Sequence, residues 1–186
     1  MMFLAILIFL FNFQIITSEF ECPNVITPNK DRRNDDKSLR IMQYNVEWLF
    51  LDYYKSADCP GDGCTWKNET QASTHLKYVT DVINNYQPDI INFCEIEGCD
   101  ELNSVIGLTT ELYNPYLIQG TDTSTGQNVG MLTKIDPLID LYRTENTYEY
   151  PIENSGCGYT ETGHTGVSKH YITTFRWNDI KVAYFA

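Results

Sequence analysis

Two apolar runs constrain this chain most, because each ends by delivering a polar side chain and a helix stands between them. Leu39 to Leu49 delivers Asn45, and Pro88 to Glu95 delivers Glu95. Ile41, Tyr44 and Val46 are strand formers in the first run. In the second, Asp89 to Glu95 reads as a short continuous strand buried on both faces. Between them, Gln71 to Tyr86 places Ala72, Leu76, Val79 and Ile83 at helical spacing, with Val82 beside them. Thr70 or Ser73 would cap this helix, and Pro88 closes the region beyond it. Strand, helix and strand in that order predict a crossover unit and an α/β fold.

The rest of the chain supplies more strands. Glu101 to Leu112 reads as a second helix through Leu102, Val105, Ile106 and Leu112. Strands are expected at Tyr116 to Gly120, Asn128 to Lys134 and Pro137 to Tyr142, with a polar turn at Thr121 to Gln127. Ser168 to Trp177 and Ile180 to Ala186 predict a hairpin around Asn178-Asp179. Asp52 to Glu69 and residues 143–166 read as long loops. Residues 19–38 form a polar lead-in whose charged stretch, Asn29 to Lys37, is expected at the surface or flexible. There is no internal repeat. The sequence stops inside an apolar strand, Lys181 to Ala186, so residues 39–186 are expected to be the N-terminal part of a larger domain.

Met1 to Phe13 is almost wholly apolar. It is shorter than the roughly 20 residues that span a bilayer and fits the apolar core of a signal peptide over residues 1–18, with Ser18 at the cleavage point. No later segment is long and apolar enough to cross a membrane. The expected location is therefore secreted, or the lumen of the secretory route. Cys22, Cys59, Cys64, Cys94, Cys99 and Cys157 all follow the proposed cleavage, and an even count in an oxidising compartment predicts disulfides. Their pairing stays open. Cys59 with Cys64 and Cys94 with Cys99 would each close a small loop. Asn68-Glu-Thr70 is a glycosylation acceptor pattern. The net charge of −12, from 13 basic and 25 acidic residues, argues against a broad basic groove for nucleic acid. A phosphate group would have to be held locally, by a metal and a few cations.

Glu95 and Asn45 carry the chemistry. A carboxylate at the end of a buried strand is rare unless it is paired or holds a metal. Parallel strands present ligand sites at their carboxyl ends, and magnesium commonly uses one or two carboxylates with water and phosphate oxygens. Asn45 can donate to a phosphate oxygen or orient metal-bound water. Read singly, each is an ordinary strand-end or turn side chain; only together do they suggest a site. Glu47 would share the face of Asn45 if the strand ran on. Trp48 and Leu49 read as core. His75 is expected on the exposed side of its helix. Cys157, His164 and His170 have a spacing that raises zinc, but a disulfide suits Cys157 better. Lys134 and Lys169 are candidate phosphate contacts, with ordinary surface lysines the better reading. Asp122, in a threonine-rich turn, is a remote calcium candidate.

Three segments also carry a family pattern. Ile41-Met-Gln-Tyr-Asn-Val-Glu-Trp-Leu49 resembles the first motif of the endonuclease/exonuclease/phosphatase superfamily, the DNase I-like fold. Gln87-Pro-Asp-Ile-Ile-Asn-Phe-Cys-Glu-Ile-Glu97 resembles its second motif, and Asn128-Val-Gly-Met-Leu-Thr-Lys134 the strand that follows. The resemblance implies an α/β sandwich of two mixed sheets with outer helices, of which this chain would hold the first sheet and the start of the second. It implies a metal-dependent phosphoester hydrolase, with Glu95 a metal ligand and Asn45 ordering metal and phosphate. Magnesium is the implied ion, with manganese or calcium as substitutes. Nucleic acid is the favoured substrate. The alternatives are a sphingomyelinase-like or inositol-phosphate phosphatase, or a secreted binding domain that kept the scaffold without catalysis. The superfamily's later His, Gly-Asp-Phe-Asn and Ser-Asp-His motifs do not occur in these residues, so its general base and phosphate-stabilising histidines are not assigned.

Overall fold

A computed structural model describes residues 21–51, 66–121, 125–156, 158 and 160–186. The expected crossover unit is present. Strand β1 (Ile41–Leu49) leads through helix α1 (Glu69–Tyr86) to β2 (Ile90–Ile96), and β1 and β2 pair in parallel. Helix α2 (Cys99–Leu108) and strands β3 (Asn114–Leu117) and β4 (Asn128–Thr133) follow. These four strands form one sheet in the order β1-β2-β4-β3, with β4 antiparallel to both of its neighbours. The helices pack on one face.

Helix α1 forms because Ala72, Leu76, Val79 and Ile83 make a single buried stripe. Its cap is Asn68, whose Oδ1 accepts the Gln71 N–H at 3.0 Å, and not Thr70 or Ser73, which lie inside the helix. It ends at Gln87 in a left-handed conformation, donating its N–H to Ile83. Helix α2 starts and stops earlier than the apolar pattern indicated. The Glu101 carboxylate accepts the Gly98 N–H at 2.9 Å and closes its first turn. Leu112, 72% exposed, lies beyond the helix.

The sheet buries both faces. Toward the helices, Ile91, Phe93, Ile96 and Leu132 meet Leu76, Val79, Ile83, Leu102 and Val105. On the opposite face, Ile90, Tyr116, Val129 and Met131 meet Tyr171 and Phe175. Tyr171 immediately precedes β7 (Ile172–Trp177), which carries Phe175 and forms a hairpin with β8 (Ile180–Phe185). The hairpin turns on Asn178 and Asp179, both at positive φ (46° and 62°). That is the mirror-image turn whose twist suits a two-residue hairpin. The architecture is thus mixed α/β: helices, a four-stranded sheet, and a second antiparallel layer.

Three expectations need correction. Pro137 to Tyr142 is not a strand. Proline has no N–H to give, and the segment meets β7 at separate points, through Leu138 N–H to Thr174, Thr173 Oγ1 to the Ile139 carbonyl and the Tyr142–Ile172 bridge. Residues 143–166 are not wholly loop, because β5 (Tyr148–Tyr150) and β6 (Gly163–Thr165) pair antiparallel. The described part of the lead-in is fixed to the sheet. Cys22 N–H bonds to Leu117, Asp31 bridges to Ile135, and Arg32 grips the buried Asp136 carboxylate at 2.7 and 2.6 Å. Cys22 is also disulfide-bonded to Cys99. Among the described residues no helix is long and apolar enough to cross a membrane.

Candidate functional site

The two strands that carry Asn45 and Glu95 run in even register from Ile41–Ile90 to Asn45–Cys94, and then the register breaks. The next pair is Leu49–Ile96. On the other side of β2, Cys94 pairs with Val129 and Ile96 with Asn128, so Glu95 is an extra residue there too. A bulge of this kind re-aims side chains. Strict alternation would send Glu95 after Ile91 and Phe93 into the core beneath the helices. Instead Glu95 adopts a left-handed backbone, φ 65°. Ile96 fills the helix-side core, and the Glu95 carboxylate swings toward β1.

There it meets Asn45. Asn45 Nδ2 donates to Glu95 Oε1 at 2.9 Å. The other end of the amide is also used: the Glu47 N–H donates to Asn45 Oδ1 at 2.9 Å. That second bond fixes which way the amide points. It is made possible by left-handed backbone at Glu47 and Trp48 (φ 48° and 58°). Glu95 is half-buried and Asn45 exposed, so the pair is ordered by the protein yet open to solvent. The Glu47 side chain lies past the point where regular alternation stops, so the shared face expected for it does not follow. Leu49 is core as expected, and Trp48 is half-buried against Phe50, ring centres 5.4 Å apart.

His75 departs from its expected exposed position. It is half-buried, with Nε2 2.6 Å from the Val46 carbonyl and its ring stacked on Trp66 at 3.9 Å. It thereby ties α1 to the strand bulge that follows Asn45. The signal was present: His75 stands three residues after Ala72 and four before Val79, on the flank of the buried stripe.

A polar chain that no sequence motif marks runs beneath the site. Buried Tyr171 donates its OH to Asn92 Oδ1 at 2.7 Å. Asn92 Nδ2 donates to Gln43 Oε1 at 2.5 Å, and Gln43 Nε2 donates to Cys94 Sγ at 3.1 Å. Burial raises the Tyr171 pKa well above its ordinary value. Burial also raises that of the Cys94 thiol; the Gln43 bond opposes this and the Glu95 charge adds to it. The cue in the sequence was position: Gln43 precedes Asn45 by two residues, on the same side of the strand.

The other sequence candidates lie elsewhere. Lys134 is neither a surface lysine nor a phosphate contact. It is 4% exposed and paired to Glu111 at 2.7 Å and Asp89 at 3.6 Å. It sits past the Ile90–Thr133 pair, at the far end of the sheet from Glu95. Lys169 bonds Thr125 Oγ1 at 2.7 Å, and Thr125 precedes β4 at the end of the sheet that bears Glu95. His170 accepts the Thr144 N–H at 3.1 Å and lies 3.0 Å from the Val167 carbonyl, while His164 is on β6 opposite Glu149. Of the cysteines, Cys22 and Cys99 pair with each other and Cys94 is free, so the Cys94–Cys99 loop does not form. Cys59, Cys64, Cys157 and Asp122 lie outside the described residues.

Among the described residues no three His, Cys, Asp or Glu side chains gather as a metal cage. One half-buried carboxylate, oriented by an amide, is still a donor set that suits a hard oxygen-seeking ion such as magnesium, which keeps water and substrate oxygens in the rest of its shell.

No protein-family model matches the chain, and no curated protein matches it. Among solved structures it is similar to an endonuclease/exonuclease/phosphatase family protein from Leptotrichia buccalis C-1013-b, at 12% identity and a TM-score of 0.44, covering 80% of this chain and 54% of that one. It is also similar to TDP2 from Caenorhabditis elegans, at 17% identity and a TM-score of 0.39, covering 78% and 33%. A functionally unknown conserved protein from Enterococcus faecalis V583 is similar at 11% identity and a TM-score of 0.40, covering 79% and 50%. The chain spans 33% of the length of the TDP2 structure and 50% of that of the Enterococcus protein.

Proposed function

We propose that this chain is the N-terminal part of a secreted, metal-dependent phosphoester hydrolase of the endonuclease/exonuclease/phosphatase superfamily. The observation that carries the proposal is the 2.9 Å contact of Asn45 with Glu95. The motif residues of two separate segments meet at the carboxyl ends of parallel strands, where α/β sheets bind ligands. Glu95 is assigned as a metal ligand, and Asn45 as the residue that orients its carboxylate and offers an amide to phosphate. A magnesium ion held there would supply Lewis-acid polarisation of a phosphoryl oxygen. Glu95 presents its carboxylate from the left-handed backbone of the bulge. Asn45, with its carbonyl end held by Glu47, keeps its N–H end toward the charge. Preorganisation of this kind avoids the cost of reorienting dipoles during reaction.

Nucleic acid is the favoured substrate class. A second reading, a sphingomyelin or inositol-phosphate substrate, is favoured by the net charge of −12, which repels a long polyanion. The test compares the full-length protein that contains this chain, as parent, with its Glu95→Gln and Asn45→Ala variants on plasmid DNA, RNA, sphingomyelin and inositol phosphates, with magnesium and with chelator. Glu95→Gln is expected to lose about 100-fold or more in rate, and Asn45→Ala about 10–100-fold. Manganese titration followed by paramagnetic resonance should show weaker binding to Glu95→Gln. Equal hydrolysis and equal manganese binding by parent and Glu95→Gln would sink the assignment.

A further inference from the structure

Beside the start of α1 lies an open groove of about 380 Å³ lined by Trp66, Lys67, Gln71, Thr74, His75 and Tyr78. Tyr78 is 64% exposed, and the Trp66 ring is held in place by its stack on His75 and by its N–H to the Trp48 carbonyl. Asn68 does not line the groove but directly follows Lys67, which does, and bonds Gln71, which also does. It heads the acceptor pattern Asn68-Glu-Thr70. Its exposed side chain is half committed: Oδ1 takes the Gln71 N–H at 3.0 Å. The cap needs only the oxygen, so Nδ2, the atom that glycosylation modifies, is left for modification.

We propose that Asn68 carries an N-linked glycan whose first sugar lies in this groove, against Trp66 and Tyr78. In the transfer, Asn68 Nδ2 forms a bond to C1 of an oligosaccharide carried on a polyprenyl pyrophosphate. The C1–O bond breaks, the lipid pyrophosphate leaves with the electron pair, and the amide proton passes to a base of the transferase. The groove matches the chemistry of a pyranose. Aromatic surfaces receive its C–H faces, while Gln71, Thr74 and Lys67 supply polar partners at the rim. The covalent tether replaces affinity with effective concentration, so even a shallow groove is occupied. A protein partner would lack that advantage.

The inference rests on the secretory reading and not on the chemistry of Asn45 and Glu95. Fusing a foreign signal peptide to the full chain in a eukaryotic secretory host carries it to the lumen whatever its own first residues do, so failure here and failure of that reading are told apart. Intact mass before and after peptide N-glycosidase treatment reads occupancy. The enzyme leaves aspartate at position 68, which caps a helix as well as asparagine, so the comparison isolates the sugar from the cap. Removing the glycan should lower the melting temperature by roughly 2–4 °C, the shift a contact of about 1 kcal/mol gives a chain of this size. A form trimmed to one sugar should keep the full value. Tyr78→Ser should leave the unglycosylated chain unchanged and remove part of the gain in the glycosylated one. An unmodified Asn68 in the secreted product overturns the proposal, as does a glycan whose removal leaves the melting temperature unchanged.

Discussion

An amide side chain has an accepting end and a donating end, and Asn45 uses both. Its oxygen holds the Glu47 N–H, so its nitrogen must face Glu95. Aspartate at position 45 would put two carboxylates together, and Asn45→Asp should weaken the pair in the absence of a cation. Cys94 reports on the same charge. A thiol reacts as its thiolate, and burial together with the neighbouring Glu95 charge holds the Cys94 pKa up. Native Cys94 is therefore expected to react with iodoacetamide at pH 8 more slowly than in the unfolded chain, and Glu95→Gln should speed it. Labelling rates followed by mass spectrometry check this; an unchanged rate in Glu95→Gln would mean that the two side chains do not sense each other. Asn45 and Glu95 were legible because each interrupts an apolar run. Their contact was not, since it depends on a left-handed backbone at Glu95, which no side-chain pattern announces. The side His75 takes is not legible, because histidine suits either side of a helix and the bond to the Val46 carbonyl that decides it crosses 29 residues.

At the scale of elements, the apolar pattern found α1 by its buried stripe, β2 and β4 by near-continuous apolar runs, and the final hairpin by the alternation in β7. It failed where pairing rests on the backbone alone. Strands β5 and β6 are three residues each and mostly exposed, so they leave no alternation to read. Sequence alone does not choose the cap of α1, because Asn68, Thr70 and Ser73 all have capping side chains, and only the oxygen that faces the first turn decides. Asn68→Ala in the unglycosylated chain should cost about 1 kcal/mol, read as a lower urea midpoint. The hairpin gives the opposite sign. Asp179 sits at φ 62°, a conformation that glycine adopts without penalty. Asp179→Gly should stabilise the chain by up to about 1 kcal/mol. A fall in the urea midpoint would show that the Asp179 side chain contributes more than its backbone costs.

Among the described residues one four-stranded sheet is buried on both faces, with Tyr113 in the core on its helix side and Tyr116 and Tyr171 in the core on the other. Tyr113, Tyr116 and Tyr171 are 4%, 5% and 0% exposed, and burial raises the pKa of each above its ordinary value of 10.0. Glu111 and Asp89 add to this at Tyr113, and the bond to Asp136 at Tyr116. The sign follows from linkage: the unfolded chain loses these protons near the ordinary value and the folded chain does not. Stability from the three is fully present below pH 10 and is lost as pH rises toward their folded values. Between pH 9 and 11 the urea midpoint should fall, and tyrosinate absorbance from these residues should appear only together with loss of circular dichroism. Ionisation at pH 11 without unfolding would contradict the burial.

The bond between Cys22 and Cys99 closes the chain over a separation of 77 residues, and Asn45 and Glu95 both lie within that span. The segment that bears them is therefore a covalent circle. One backbone cut anywhere inside it turns the circle into an open line and releases nothing. Both members of the pair stay on a single molecule, and the two halves separate only under reduction.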